Sequence, residues 1–239
     1  MGSSSLATKC PEYPGLSLRY YFYIYFYLKL VYYGVMARKP RILISDGIYH
    51  IYNRANNRRS INFASQTFDC FLGLLKDIKV QFDVDIFAYC LMKNHYHIFL
   101  RTKRPNLDEV MKYFGENYAK YINYVTNGNG SVFSGRYNAK IVLEDAYFLQ
   151  VLRYIHLNPV ESGTVGDFLD YDWSSAKEYG SERFKVVSPD LINDYFLNFD
   201  DFVSYHRMGN TREILSYYSR KNVPNRLHSR IFEKSLNLM

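Results

Sequence analysis

CLMKNHYHIFLRT, residues 90–102, sets two histidines one residue apart inside an otherwise apolar run. Side chains on a strand alternate between faces, so His95 and His97 project together while Tyr96 and Ile98 point the other way. Lys93 and Asn94 make a tight connection back to VDIFAYCLM (84–92), an apolar run that reads as a buried strand. The two segments therefore predict an antiparallel hairpin. Two imidazoles about 6–7 Å apart at the backbone, twice the strand rise, can converge on one ion. They could equally be polar residues on an exposed face, since Lys93 and Asn94 bring this end of the strand to solvent. A β-lactamase-like zinc site also starts with HxH, but it needs a following Asp-His pair that HYHIFLRT lacks.

Working outward, GIYHIYNR (47–54) alternates in the manner of a strand rich in aromatic residues. Between it and the hairpin, Phe68, Phe71, Leu72, Leu75 and Ile78 recur at helical spacing and predict a helix over about 66–80. After the hairpin, Asn106 is placed to cap a second helix, with Asp108 and Glu109 in its first turn. NGNG (127–130) ends that helix, SVFSGRYNAKIVL (131–143) reads as a strand, and EDAYFLQVLRYIHLN (144–158) as a helix stopped by Pro159. The order is strand, helix, strand, strand, helix, strand, then one more helix. This predicts an α+β, ferredoxin-like βαββαβ fold, an antiparallel sheet with two helices on one face. The other face is left for a ligand or the additional helix, and a C-terminal helical appendage follows.

The chain has 239 residues, 25 of them tyrosine, and a net charge of +7, which leans toward an anionic partner. Cys10, Cys70 and Cys90 have no CxxC spacing, which argues against a zinc finger or a disulfide framework and fits a reducing cytosol. LSLRYYFYIYFYLKLVYYGV (16–35) has the length of a membrane span, but Arg19 and Lys29 interrupt it and tyrosine replaces the usual leucine. MARKPRI begins at Met36 like a natural start. We therefore read 1–35 as a non-native or disordered extension, 36–180 as the main domain and 181–239 as a helical extension and tail. No membrane association is expected.

A third ligand for the histidine pair has to come from elsewhere. Gln150, Tyr154 and Asn158 are spaced by four and share one face of the 144–158 helix, while Phe148, Leu152 and Ile155 can anchor it to the sheet. A tyrosine and an amide one turn apart, facing two imidazoles, would make a compact site. His156 lies on the wrong side of the helix and reads as structural. His50 could face the open side of the sheet and is assigned no role.

YHIYNRANNR, LMKNHYHIFL, VFSGRYNAKIV, YFLQVLRYIHLNPVESG and WSSAKEY occur in this order over roughly residues 37–180. In this the chain resembles the single-tyrosine HUH transposases of the IS200/IS605-like superfamily, specifically the REP-associated tyrosine transposases. The resemblance implies the same ferredoxin-like fold, and cleavage and joining of single-stranded DNA at a hairpin through a 5′-phosphotyrosine. It implies Tyr154 as nucleophile and His95, His97 and Asn158 as ligands of a divalent metal, Mg²⁺ or Mn²⁺. Imidazole and amide ligands suit Mn²⁺ better, and cellular availability favours Mg²⁺. Candidate DNA contacts are Arg38, Lys39 and Arg41 in the N-terminal arm, Arg54, Arg58 and Arg59 in NRANNRR, and Arg136 in SGRY. The implied setting is the cytoplasm and its nucleoid, as a monomer or homodimer. Competing readings are a silent hairpin-binding protein of the same fold and an RNA-binding module with the same strand order. The latter lacks its GFGFV-like aromatic run here. A membrane-anchored protein would depend wholly on 16–35.

Overall fold

A computed structural model describes residues 41–181, 186–188, 190 and 192–209. From Ile42 onward these form one compact unit. The expected extension 1–35, with its apolar stretch 16–35, lies outside the described residues, as does the tail after 209.

The element order is β1 (Gly47–Arg54), α1 (Ser65–Gln81), β2 (Val84–Leu91), β3 (His95–Thr102), α2 (Leu107–Val125), β4 (Asn138–Ile141) and α3 (Asp145–Glu161). A nine-residue helix, α4 (Phe199–Arg207), follows three-residue and six-residue 3₁₀ segments at Phe168–Asp170 and Ser175–Gly180. The sheet has the strand order β2-β3-β1-β4 and every pairing is antiparallel. This is the ferredoxin-like arrangement with its additional helix.

Alternation along the strands divides the core in two. Tyr49, Ile51, Tyr96, Ile98 and Leu100 face α1 and α2, where Phe71, Leu75, Phe114 and Tyr118 complete one apolar cluster. Ile48, Phe99 and Cys90 face the other side, where Phe148, Leu152 and Ile155 of α3 seal a second. In β2 the register slips between Ile86 and Ala88. This bulge puts Phe87 and Ala88 on the same side, so Phe87 packs against both Phe99 and Phe148, at ring-centroid distances of 5.6 and 5.2 Å. The bulge thus adds an aromatic ring under the helix that carries Tyr154.

Gly47 has a steric reason: a Cβ there would lie 2.4 Å from the Tyr49 hydroxyl. That hydroxyl folds back to accept the Ile44 N–H at 3.0 Å.

Three local expectations are corrected. The strand expected over 131–143 is confined to Asn138–Ile141, because Ser134 bonds to Arg54 at the very end of β1 and Val132 to Asn56 beyond it, and the ladder lapses through Arg136. Asn106 borders α2 without capping it. Its backbone, at φ −116° and ψ 23°, is not extended, and both side-chain amide atoms are buried without a hydrogen-bond partner. Finally, α3 runs through Pro159 to Glu161. In the last turn the ring removes a single backbone bond, and the chain turns away from the helix two residues later at Gly163, with φ 70°.

Beyond residue 181, Ile192, Tyr195, Phe196, Phe202 and Tyr205 join the α3 cluster. Main-chain bonds from Leu91 N–H to Trp173 O and from Ser188 N–H to Ile86 O cover the outer edge of β2.

Candidate active site

Cross-strand register builds the site on the α3 side of the sheet. Arg54 stands opposite His95 and Tyr52 opposite His97, while His50 is opposite Lys140 of β4. The rings of His95 and His97 lie edge to face, 5.2 Å apart. One turn of α3 then brings Tyr154 and Asn158 over the pair. The Tyr154 ring stands edge-on to His97 at 5.4 Å, and Asn158 Oδ1 lies 3.1 Å from His95 Nε2. Asn158 is buried, whereas Tyr154 is 41% exposed, so its phenol is open to a large partner. A cavity of about 650 Å³ next to it is lined by His50, Tyr52, Lys140, Gln150, Arg153 and Glu161, among others.

Burial disfavours the charged form of each imidazole. It pushes His97 well below the usual histidine range, with His50 and His95 adding to the effect. Burial and then Lys140 bring His50 down to about 4. His95 is lowered by burial and by Arg54, against an opposing hydrogen bond that the ring donates to Asn158 Oδ1. The Tyr154 phenol is raised by burial and by Glu161, while a hydrogen bond from Asn158 opposes the rise. Asn158 therefore presents its oxygen to His95 and favours the ionised form of the phenol one turn away.

Among the described residues no three His, Cys, Asp or Glu side chains converge to hold a metal. The set that fits one is two imidazoles and an amide oxygen. His95 has an oxygen at each nitrogen: Asn94 Oδ1 is 2.9 Å from Nδ1 and Asn158 Oδ1 is 3.1 Å from Nε2. When the ring is neutral it carries one N–H, and one of these contacts then sets lone pair against lone pair. A cation shared by His95 Nε2 and Asn158 Oδ1 would relieve that conflict. Adjacent ligands of an octahedral ion at about 2.1 Å stand about 3 Å apart, which matches the His95–Asn158 separation.

Residues 44–158 match the family model described as transposase, IS200 like. This is an IS200-like transposase domain. The matched span opens just before β1 and closes on Asn158, so it contains all four residues of the cluster. The transposase fold also appears in a solved REP-associated tyrosine transposase bound to a REP hairpin. That structure is 15% identical, with a TM-score of 0.54, and the match covers 64% of this chain and 92% of that one. A crystal structure of a Deinococcus radiodurans R1 protein described as a transposase matches at 17% identity and a TM-score of 0.36, covering 49% of this chain and 95% of that one. No curated protein matches the chain by sequence.

The candidate DNA contacts divide. Arg38 and Lys39 lie outside the described residues, and Arg41, the first described residue, is half-buried. Arg54 and Arg136 are exposed and are brought close by the Ser134 N–H to Arg54 O bond and by the Asn53 amide on Gly135 O. Arg58 is exposed in a left-handed backbone at φ 54°. Arg59 instead donates to Asn123 Oδ1 of α2 at 3.0 Å, which ties its guanidinium to the scaffold. His156 is fully buried between His206 and Ser175, as its helix position suggested.

Sequence reasoning passed over His50, Tyr52, Lys140, Arg153 and Glu161. The parity of GIYHIYNR placed His50 and Tyr52 on one face. Which residues stand opposite them depends on strand register, and that is set only when β1 inserts between β3 and β4.

Proposed function

We propose that this transposase domain nicks and rejoins single-stranded DNA at hairpin-forming sequences through a covalent phosphotyrosine at Tyr154. The observation that carries the reading is the single cluster of Tyr154, Asn158, His95 and His97, with Asn158 Oδ1 on His95 and the Tyr154 ring edge-on to His97. The Tyr154 oxygen attacks phosphorus, its proton leaves to solvent, and the bond to the 3′-oxygen breaks. The products are a 5′-phosphotyrosine and a 3′-hydroxyl that carries away a proton. Because the ester conserves the bond energy, a second 3′-hydroxyl can reverse the step and join strands without ATP.

His95, His97 and Asn158 would hold Mg²⁺ or Mn²⁺. Bound there, the cation would draw charge from the phosphodiester and favour the phenolate. Asn158 orients the phenol and stabilises its ionised form. Arg54 and Arg136 would receive the DNA backbone, with exposed aromatic residues available for base stacking. The hairpin is proposed because the REP-associated relative is bound to one. Action in the cytoplasm at the nucleoid follows from the substrate. Among the described residues no helix is long and apolar enough to cross a membrane.

A silent hairpin-binding protein is the second reading, favoured by the upward shift of the Tyr154 phenol. A labelled hairpin oligonucleotide with a single-stranded flank separates the two. The wild type should yield a covalent adduct on a denaturing gel with Mg²⁺ or Mn²⁺ and none with EDTA. Binding without any adduct would support the silent protein.

A further inference from the structure

His50 is the one imidazole of this cluster that the reading above does not use. It is 6% exposed, in a seam whose neighbouring positions, Ile48, Phe99 and Phe148, are apolar. An aromatic hydrocarbon side chain would serve packing there at least as well, because a buried polar group costs stability unless it is hydrogen-bonded. The ring nitrogen has one specific partner: His50 Nε2 lies 3.0 Å from His97 Nδ1. The rings are stacked 5.2 Å apart, at 27° between planes.

This contact admits only two proton arrangements. Two buried imidazoles so close are not both cations, so a single proton lies between the facing nitrogens. If His50 donates it, the neutral His97 carries its own proton on Nε2 and has no lone pair there for a metal. If His97 donates from Nδ1, its Nε2 lone pair is free, and His50 keeps its proton on Nδ1. A histidine that ligates through one nitrogen usually anchors the other as a donor to a fixed acceptor. For His95 that acceptor is Asn94 Oδ1.

We propose that His50 is a positioning residue, whose Nε2 accepts the His97 Nδ1–H and so frees the His97 Nε2 lone pair for the divalent cation. This rests on the metal reading of His95, His97 and Asn158. Both imidazoles of the HxH pair then have a neighbouring acceptor. Asn94 is adjacent in sequence to its histidine, and His50 is supplied across the strand pair.

The test uses the full-length protein and has two readouts. In metal-free wild type, ¹⁵N–¹H correlation spectra of the histidine side chains should show His97 as the Nδ1–H tautomer. In His50→Phe, which keeps an aromatic ring but removes the acceptor, His97 should shift toward Nε2–H. Calorimetric titration with Mn²⁺ should show affinity falling about 10–100-fold in His50→Phe. His50→Gln, which returns an acceptor near the Nε2 position, should recover most of it. Unfolding temperatures in EDTA separate these effects from loss of fold. A wild-type His97 protonated on Nε2 overturns the proposal even if every variant fails to fold. So does a folded His50→Phe that binds Mn²⁺ as the wild type does. A wild type with the Nδ1–H tautomer and no Mn²⁺ binding would sink the metal reading while supporting the His50 contact.

Discussion

At Tyr154 two influences oppose one another. Burial and the Glu161 carboxylate hold the phenol neutral, and Asn158 favours its ionised form. Removing the negative charge should make the nucleophile easier to ionise. Glu161→Gln should therefore move the rise of the single-turnover cleavage rate toward lower pH, and an unchanged pH profile would show that Glu161 does not act on the phenol. The arginines make a second residue-level case. Arg136 is exposed beside Arg54, whereas Arg59 is bound to Asn123. Arg136→Ala should weaken hairpin binding and reduce its salt slope by about 1, as loss of one phosphate contact does. Equal slopes for variant and wild type would remove Arg136 from the DNA path. The shared face of His95 and His97 and that of Gln150, Tyr154 and Asn158 were legible because each follows a period, two along the strand and four along the helix, while the choice of Tyr154 and Asn158 within their face came from the family resemblance. His50 and Lys140 were not, because they enter the site by cross-strand register.

The element that makes the site is α3, held to the sheet by side chains on the faces that Tyr154 and Asn158 leave free. Phe148 is fully buried against Phe87, Phe99 and Tyr195. Phe148→Ala should cost about 3–5 kcal/mol in denaturant unfolding, the usual range for emptying such a site. It should also lower covalent adduct formation, since the helix would lose its seating. A loss under 1 kcal/mol would mean that α3 is anchored elsewhere. Helical periodicity located α3 and its anchoring face. It could not show that Pro159 would sit inside the last turn, because a proline there costs only one bond. Nor could it show that Asn106 fails as a cap, since capping depends on backbone angles that composition does not report.

Across the whole molecule, a four-stranded sheet separates two apolar clusters, and the second cluster contains a buried His156–His206 pair. His206 bonds to Phe202 O within α4. Burial, opposed by that bond and reinforced by Arg153, brings its pKa down to about 3. In the unfolded chain the same ring takes a proton near pH 6.5. Its contribution to stability is therefore fully present above about pH 6.5 and is lost as pH falls toward 3. Urea midpoints should drop by an amount equivalent to a few kcal/mol over that range. His206→Leu should flatten the dependence even if it lowers stability at pH 7, and a flat wild-type profile would contradict the assignment. The antiparallel sheet and its ferredoxin-like class were readable from the order of elements. The packing of residues 192–205 into the α3 cluster was not, because their short apolar runs carry no period that names a partner.

Everything functional depends on Tyr154 being the residue that joins DNA. The most direct measurement incubates the full-length protein with a hairpin oligonucleotide and Mn²⁺, digests the adduct with nuclease and protease, and maps the remaining phosphonucleotide by tandem mass spectrometry. The account predicts modification on Tyr154 within the peptide that spans α3, and none in Tyr154→Phe. A modification on any other of the chain's tyrosines, or an adduct that survives in Tyr154→Phe, would contradict it.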